Sequence, residues 1–402
     1  EIHERLVGSE MCIRDRFLVF MLWSAVWISN ASSDRSYWKR ALIPILLFAF
    51  VHGLRFGRDQ DYNGYYHIFT SLSNGRNENG YELVFFHICN ILNAWKVEYW
   101  GFILATSTFL IYSLMYFFKD YRKALPFIFL FMFYELRQCD NLIRWYLAFS
   151  FYFIGLSLLI NNKQWWKPLI FFLLSCNVHS GFWVMFPLFF LIKPLDKKEI
   201  IPPFIAGIIF VVFTFISSVG MLSFLSDWLT AANQLIGYDR FDFYANQAED
   251  IVSGNFGYNA GGTGMLRSFS NNIRVIFCYL PGILWGNRVL KKYKSGIFIY
   301  NVYVFGCLTF TVFTLVELLD RINSNFIILS CIVNGLLWYE VVRRKIKVRK
   351  YVYIACLLAI IGGFWPSISG LNARKKDNYM LFIWDAHGRN YIPANNQPMI
   401  GK

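Results

Sequence analysis

Long apolar runs, broken by short polar and often basic stretches, dominate the pattern of this chain. Apolar runs occupy 17–31, 41–54, 99–118, 124–136, 141–160, 168–192, 200–220, 265–286, 296–317, 322–342 and 351–368. Several approach about 20 residues, enough to carry a helix across a bilayer core about 30 Å thick. A run that is apolar on every face leaves no polar side for water, and in lipid its backbone must satisfy itself, so each run predicts a membrane helix. Two stretches differ. Residues 81–95 are half apolar, with His87, Asn90 and Asn93, and read as interfacial or re-entrant. Residues 168–192 are interrupted at Asn177, His179, Ser180 and Gly181, which predicts either a re-entrant hairpin with His179 near its tip or two short spans. The expected fold is therefore all-α and polytopic, with about 10–12 transmembrane or re-entrant helices. One membrane domain covers 17–368, with outer loops at 55–98 and 221–264 and a polar-aromatic tail at 369–402. No internal repeat is visible.

Composition narrows the class. Of 402 residues, 56% are hydrophobic and 16% charged, with a mean hydropathy of +0.39. A soluble domain is nearer 45–50% apolar, so a soluble enzyme, a disordered chain and a disulfide scaffold are excluded. The eight cysteines are scattered without a C-x-x-C pair and read as small apolar residues rather than metal ligands. Residues 1–16 are polar, lack the apolar core of a signal peptide and resemble translated sequencing-adapter sequence; a non-native leader is expected there.

The net charge of +14 is distributed as a topology signal rather than as a nucleic-acid surface. Segments 32–40, 119–123, 161–167, 193–199, 287–295 and 343–350 hold 14 of the 18 lysines and 21 of the 39 Lys+Arg. Their acids are Asp34, Asp120, Asp196 and Glu199, with Glu340 just ahead of the last segment. The positive-inside rule puts these segments in the cytoplasm. It leaves 55–98, 137–144, 221–274, 318–324 and the C-terminus outside, provided 81–95 does not cross.

Charges beside a span are costly and mark functional positions by default. Here they gather on the outer side: Arg55, Arg58, Asp59, Asp61 and Glu82 after the second run, Arg137 and Arg144 at the next outer turn, and His179 at the hairpin break. Asp239, Arg240, Arg267, Arg274, Glu317, Asp320 and Arg321 continue the series. Arginine grips phosphate oxygens bidentately and stays charged, which suits a diphosphate. Plainer roles stand beside these. Residues 55–66 also fit a loop with an internal ion pair, Arg144 a snorkelling cation, His179 a satisfied core histidine, and Asp320 with Arg321 a simple pair. The outer tyrosines Tyr62, Tyr65, Tyr66, Tyr238 and Tyr244 suit either sugar stacking or an interfacial belt.

Three stretches together resemble the EpsG/Wzy-type family of exopolysaccharide and O-antigen polymerases. One is Arg58, Asp61 and Tyr65 within RFGRDQDYNGYY, followed by Tyr81-Glu82. The second is Ile143-Arg144-Trp145 opening a central span. The third is Asn177-Val178-His179-Ser180-Gly181 ahead of an aromatic-rich helix, with Arg321 as a weaker fourth. Trp145 stands where the family has a small or polar residue, and Arg137-Gln138 offers a second register for the central arginine. The resemblance implies a glycosyltransferase-C-like membrane enzyme with extracytoplasmic active-site loops in a bacterial cytoplasmic membrane. It would join undecaprenyl-diphosphate-linked oligosaccharide repeat units into exopolysaccharide, capsule or O-antigen. Such an enzyme implies the lipid-linked oligosaccharide, the bilayer, a flippase and a chain-length regulator as partners, with no nucleic acid, cofactor or metal. On this reading Arg58, Arg144, Arg321 and Arg137 bind the diphosphate. Asp61, His179 and Glu82 are the acid–base candidates. Tyr65, Tyr66, Tyr238 and Arg240 contact glycan. A flippase of lipid-linked sugars and a membrane O-acyltransferase are the competing classes.

Overall fold

The computed structural model describes residues 17–56, 61–77, 80–136, 139–161, 164–216, 269–313, 317–343 and Leu357. Every regular element among them is helical. They form two compact units, the first ending at Leu191 and the second running from Ile192.

In the first unit, α1 (Phe17–Ser29) exposes Val19, Phe20, Trp23, Val26 and Trp27. That is an apolar stripe at helical spacing, suited to lipid and not to water. α2 (Asp34–Phe48) starts seven residues earlier than its apolar run, because Ser33 caps it by accepting the Ser36 N–H at 3.2 Å. The helix ends in a π turn, Ala49–Gly53. The stretch expected as an outer loop, 55–98, holds two helices, α3 (Tyr62–Ser71) and α4 (Leu83–Ala94). At 12 residues α4 rises only about 18 Å, too short to cross.

α5 (Tyr99–Phe118) is a full 20-residue span. A 3₁₀ turn, Lys119–Ala124, joins it to α6 (Leu125–Glu135). Lys119 and Arg122 in that turn bind Asp34 of α2 at 3.3 and 2.9 Å, tying two basic segments together. These contacts hold the Asp34 carboxyl below its usual range, through hydrogen bonds from Arg122 and Lys119. α7 (Ile143–Asn161) is buried on nearly all sides and packs against α5 and α8 (Trp166–Val178). Edge-to-face rings at Phe117–Phe153 (4.9 Å) and Tyr152–Phe172 (5.3 Å) and the Ser175 hydroxyl on the Ala148 carbonyl (2.8 Å) fasten these contacts. α8 breaks at His179, which is extended (φ −149°, ψ 118°), and the chain resumes as a 3₁₀ turn, Ser180–Met185, and α9 (Leu188–Leu195).

The second unit holds α10 (Pro203–Ile216), α11 (Phe269–Leu290), α12 (Gly296–Phe313), α13 (Glu317–Ile327) and α14 (Ser330–Val342). Asn301 pins residues 195–200 to α12, donating to the carbonyls of Leu195 (2.6 Å) and Lys198 (2.9 Å) and accepting from Ile200 N–H (3.1 Å). The run expected as one span at 322–342 lies within Leu319–Val342, a stretch long and apolar enough to cross, and it carries a tight turn where α13 meets α14. Around Ile328–Leu329 the bonds tighten to i→i−3, from Leu329 N–H to Phe326 and from Cys331 N–H to Ile328. Arg321, Asn323 and Asn325 crowd polarity into α13, which is why that half does not continue as a uniform apolar helix.

Among the described residues, four helical stretches are long and apolar enough to cross a membrane: Tyr99–Glu135, Ile143–Asn161, Gly296–Phe313 and Leu319–Val342. Five shorter apolar helices accompany them. The chain is an all-α polytopic membrane protein. The expected long loop 221–264, the last run at 351–368 and the tail lie outside the described residues, apart from Leu357.

Candidate active site

Polar side chains in the first unit converge on the turn between α6 and α7. That turn, Cys139 to Arg144, reaches three other parts of the chain. Asp140 meets the end of α2, Asn141 meets the start of α3, and Arg144 meets the start of α4.

Arg144 lies in the first turn of α7, where the apolar helix begins. Its Nη1 donates to Glu82 Oε2 at 3.0 Å. Its guanidinium also sits 5.6 Å from the ring centres of Tyr81 and Phe85. Its Nε is buried without a hydrogen-bond partner. Glu82 caps α4, and its other oxygen, Oε1, accepts the backbone N–H of Ser180 at 3.0 Å. One carboxylate thus joins three segments far apart in sequence. The pair is nearly buried, with 17% of the Arg144 side chain and 9% of Glu82 exposed. Burial pushes the Glu82 carboxyl up, but Arg144, the Ser180 N–H and His179 outweigh it, and the net direction is down. Glu82 is an ionised anchor at neutral pH.

His179 occupies the break after α8. The Gly181 N–H donates to its Nδ1 at 3.0 Å, so that nitrogen carries no proton and Nε2 holds the hydrogen of the neutral ring. The Trp145 ring stands edge-on to the imidazole at 4.7 Å. Gly181 is required by this approach: a Cβ there would fall 2.6 Å from Trp145 Cζ3. The residue after Arg144 therefore fixes the histidine turn.

A second cluster lies on the same α6–α7 turn. His52, in the π turn, pairs through Nδ1 with Asp140 Oδ1 at 2.8 Å. Arg55 is 2% exposed and reaches the Asp140 carbonyl at 2.9 Å, its carboxylate at 3.4 Å, and the His52 carbonyl. Gly53 allows the π turn to lie on α5, since a Cβ there would sit 2.9 Å from Leu104 Cα. His52 Nδ1, Cys139 Sγ and Asp140 Oδ1 lie within 4.8 Å of one another, the reach of a metal site. Arg55 already places its positive charge on the same Asp140 oxygen, so the carboxylate is compensated by the guanidinium and the donor set does not suit a cation.

Among the sequence candidates, Glu82, Arg144 and His179 are brought together. Asp61 starts α3, and its N–H binds Asn141 Oδ1 at 3.0 Å, next to the same turn. Tyr65 and Tyr66 follow on α3, with Tyr66 edge-on to Tyr99 at 5.4 Å. Arg321 lies on α13 of the second unit. Arg58, Arg137, Tyr238 and Arg240 lie outside the described residues. Sequence reading missed His52, Cys139 and Asp140. The available signal was a histidine near the end of an otherwise apolar run and an acid closing the polar turn before the central run.

Residues 40–382, most of the chain and every site residue named above, match the EpsG family. The chain belongs to that family. No curated protein and no solved structure matches it. Membership makes this EpsG-family chain a membrane protein of exopolysaccharide-polymerase type.

Proposed function

We propose that this EpsG-family protein polymerises undecaprenyl-diphosphate-linked oligosaccharide repeat units on the outer face of a bacterial cytoplasmic membrane. The growing glycan leaves its lipid diphosphate and passes to a sugar hydroxyl of another lipid-linked unit. The bond between the anomeric carbon and the diphosphate oxygen breaks with its electron pair on the diphosphate. A bond from that carbon to the acceptor oxygen forms, and the hydroxyl proton goes to a base.

The observation that carries this reading is the meeting of Arg144, Glu82 and the 179–181 break at the mouth of α7. A leaving diphosphate gains negative charge as the glycosyl bond breaks, and fixed cationic donors placed there lower the barrier. Arg144 has five N–H donors, of which Nη1 is committed to Glu82 while Nε is buried without a partner. Glu82 holds the guanidinium in place, and Nε2–H of His179 supplies a further donor beside it. Arg58, Arg137 and Arg321 are proposed as additional diphosphate ligands. Tyr65 and Tyr66 on α3, with Tyr238 and Arg240, are proposed for the glycan. A flippase and a chain-length regulator are the proposed protein partners.

The test is an assay of purified protein in detergent with its lipid-diphosphate repeat unit, resolved by gel and mass spectrometry. A ladder spaced by one repeat mass, lost in Arg144→Ala, is the expected result. A single added sugar or acyl group, or no product from folded protein with a verified substrate, overturns the polymerase reading.

A further inference from the structure

One end of the second unit gathers basic segments that are distant in sequence. Residues 195–200 are pinned there by Asn301, which donates to the carbonyls of Leu195 and Lys198 and accepts from the Ile200 N–H. The end of α11 joins them at Glu199, whose Oε1 accepts from Lys291 Nζ at 2.7 Å and from Asn287 Nδ2 at 3.0 Å. The last turn of α14 joins through Glu340, 3.7 Å from Lys292 Nζ.

The acids of this end are engaged by its own groups, and the cations face outward. Asp196 Oδ1 accepts the Phe298 N–H at 3.1 Å, Glu199 is taken up by Lys291 and Asn287, and Glu340 is buried. Lys197, Lys198, Arg288, Lys291, Lys292 and Lys294 are all exposed. Lys294 is bracketed by two of the ties, Lys291 to Glu199 and Phe298 to Asp196, which hold it beside Lys197 and Lys198. Like charges crowded at one end repel, so this arrangement costs the unit stability unless an anion meets it.

An apolar face begins at the same edge. α10 starts at Pro203, five residues after Lys198. Its inner side packs on α11: a Cβ on Gly207 would fall 2.9 Å from Leu284 Cδ2, and Phe210 is edge-on to Tyr279 at 6.5 Å. Its outer side carries Phe204, Ile208 and Val212 at i, i+4 spacing, 72%, 49% and 45% exposed. We propose that this end of the second unit holds an anionic phospholipid, its phosphate among Lys197, Lys198 and Lys294 and its acyl chains along the outer face of α10. The lysine asymmetry assigns that end to the cytoplasmic leaflet. Lysine stems reach along apolar surface to set the ammonium at headgroup level, and each such cation gains from an anionic headgroup within a Debye length. A free phosphate would use the cations alone, and an acidic protein would leave the α10 stripe unused; a phospholipid uses both. The inference stands apart from the polymerase reading.

The experiment titrates the purified protein in neutral detergent and reads retained ligand by native mass spectrometry. The probes are phosphatidylglycerol, phosphatidylcholine with the same acyl chains, and glycerol phosphate. Wild type is expected to hold phosphatidylglycerol at least about 10-fold more tightly than phosphatidylcholine, and the preference shrinks as salt is raised and the charges are screened. Replacing Lys197, Lys198 and Lys294 together by Gln spares Lys291 and Lys292, which make the ion pairs. That variant is expected to weaken phosphatidylglycerol on the order of 10²-fold, roughly five-fold per cation, with phosphatidylcholine unchanged. Replacing the same three by Arg keeps the charge and the binding. The difference between wild type and the Gln variant isolates this end from the basic segments of the first unit. Equal retention of the two lipids by wild type overturns the proposal, and that result needs no variant to fold. So does a Gln variant with wild-type affinity for phosphatidylglycerol. Glycerol phosphate bound as tightly as phosphatidylglycerol overturns it too, because the site would then take phosphate without the acyl chains.

Discussion

Arg144 and Glu82 show how little of a side chain's role resides in its own identity. An arginine in the first turn of an apolar helix is equally suited to snorkelling or to ligand binding. What separates the two is the company it keeps: a carboxylate 62 positions earlier that is itself bound by Ser180 N–H. In the proposed role the fork grips Glu82 and offers its remaining donors to diphosphate, which a point charge does not replace. Arg144→Lys is therefore expected to keep the fold but lose roughly 10²-fold in ladder formation, the scale of losing one fixed donor to a developing anion. Arg55 makes a different prediction. It is buried against Asp140, and removing one partner of a buried pair leaves an uncompensated charge. Arg55→Ala is expected to cost about 3–5 kcal/mol in chemical unfolding in detergent. A cost below about 1 kcal/mol, the range of surface pairs, would mean water reaches the carboxylate.

At the scale of elements, hydrophobic runs anticipated most helices, and the departures have local causes. α2 begins early because Ser33 caps it, and it ends in a π turn where Gly53 lies on α5. The division between α13 and α14 follows from polar residues that a run-length reading averages away. The π turn is a sharp test. Gly53→Ala must push Leu104 or the turn aside, since the new Cβ would meet Leu104 Cα at 2.9 Å. The expected outcome is a loss of about 1–3 kcal/mol of stability, measured by chemical unfolding in detergent. Gly64→Ala, on α3 with nothing within 4 Å of the new Cβ, is the control expected to fold and polymerise normally.

For the whole molecule, charge distribution predicts orientation and acid stability. The lysine-rich segments predict that Lys123 faces the cytoplasm and Ser73 the outside; both side chains are exposed. Cysteine at Ser73 should react with an impermeant thiol reagent in intact spheroplasts, and cysteine at Lys123 only after permeabilisation. The described native cysteines, Cys89, Cys139, Cys176, Cys278, Cys307 and Cys331, are buried and should contribute little background. The reverse labelling pattern would place the Arg144 cluster in the cytoplasm. In the second unit, Lys291 at 2.7 Å and Asn287 at 3.0 Å bind Glu199 and lower its carboxyl to about 2. A depressed carboxylate stabilises the fold at pH above its unfolded value, and that contribution drains away as pH falls through the folded one. Melting temperature in detergent should therefore drop between about pH 5 and pH 2, and Glu199→Gln should flatten that drop. An unchanged slope would mean Glu199 is solvated in the unit as it is in the unfolded chain.

The sequence by itself determined the solvent. Apolar runs of helical length exclude water from most faces, and the lysine asymmetry predicts their orientation, because both depend only on local composition and the thickness of a bilayer. It also marked Glu82, Arg144 and His179 as costly residues in the wrong place for a plain span. Tertiary structure alone decided which of these groups donate and which accept. That depends on Gly181 N–H reaching His179, on Ser180 N–H reaching Glu82, and on Asp140 reaching His52 across 88 positions. Hydrogen-bond polarity is a property of pairs, and the pairs form only when the α6–α7 turn brings distant segments within about 3 Å.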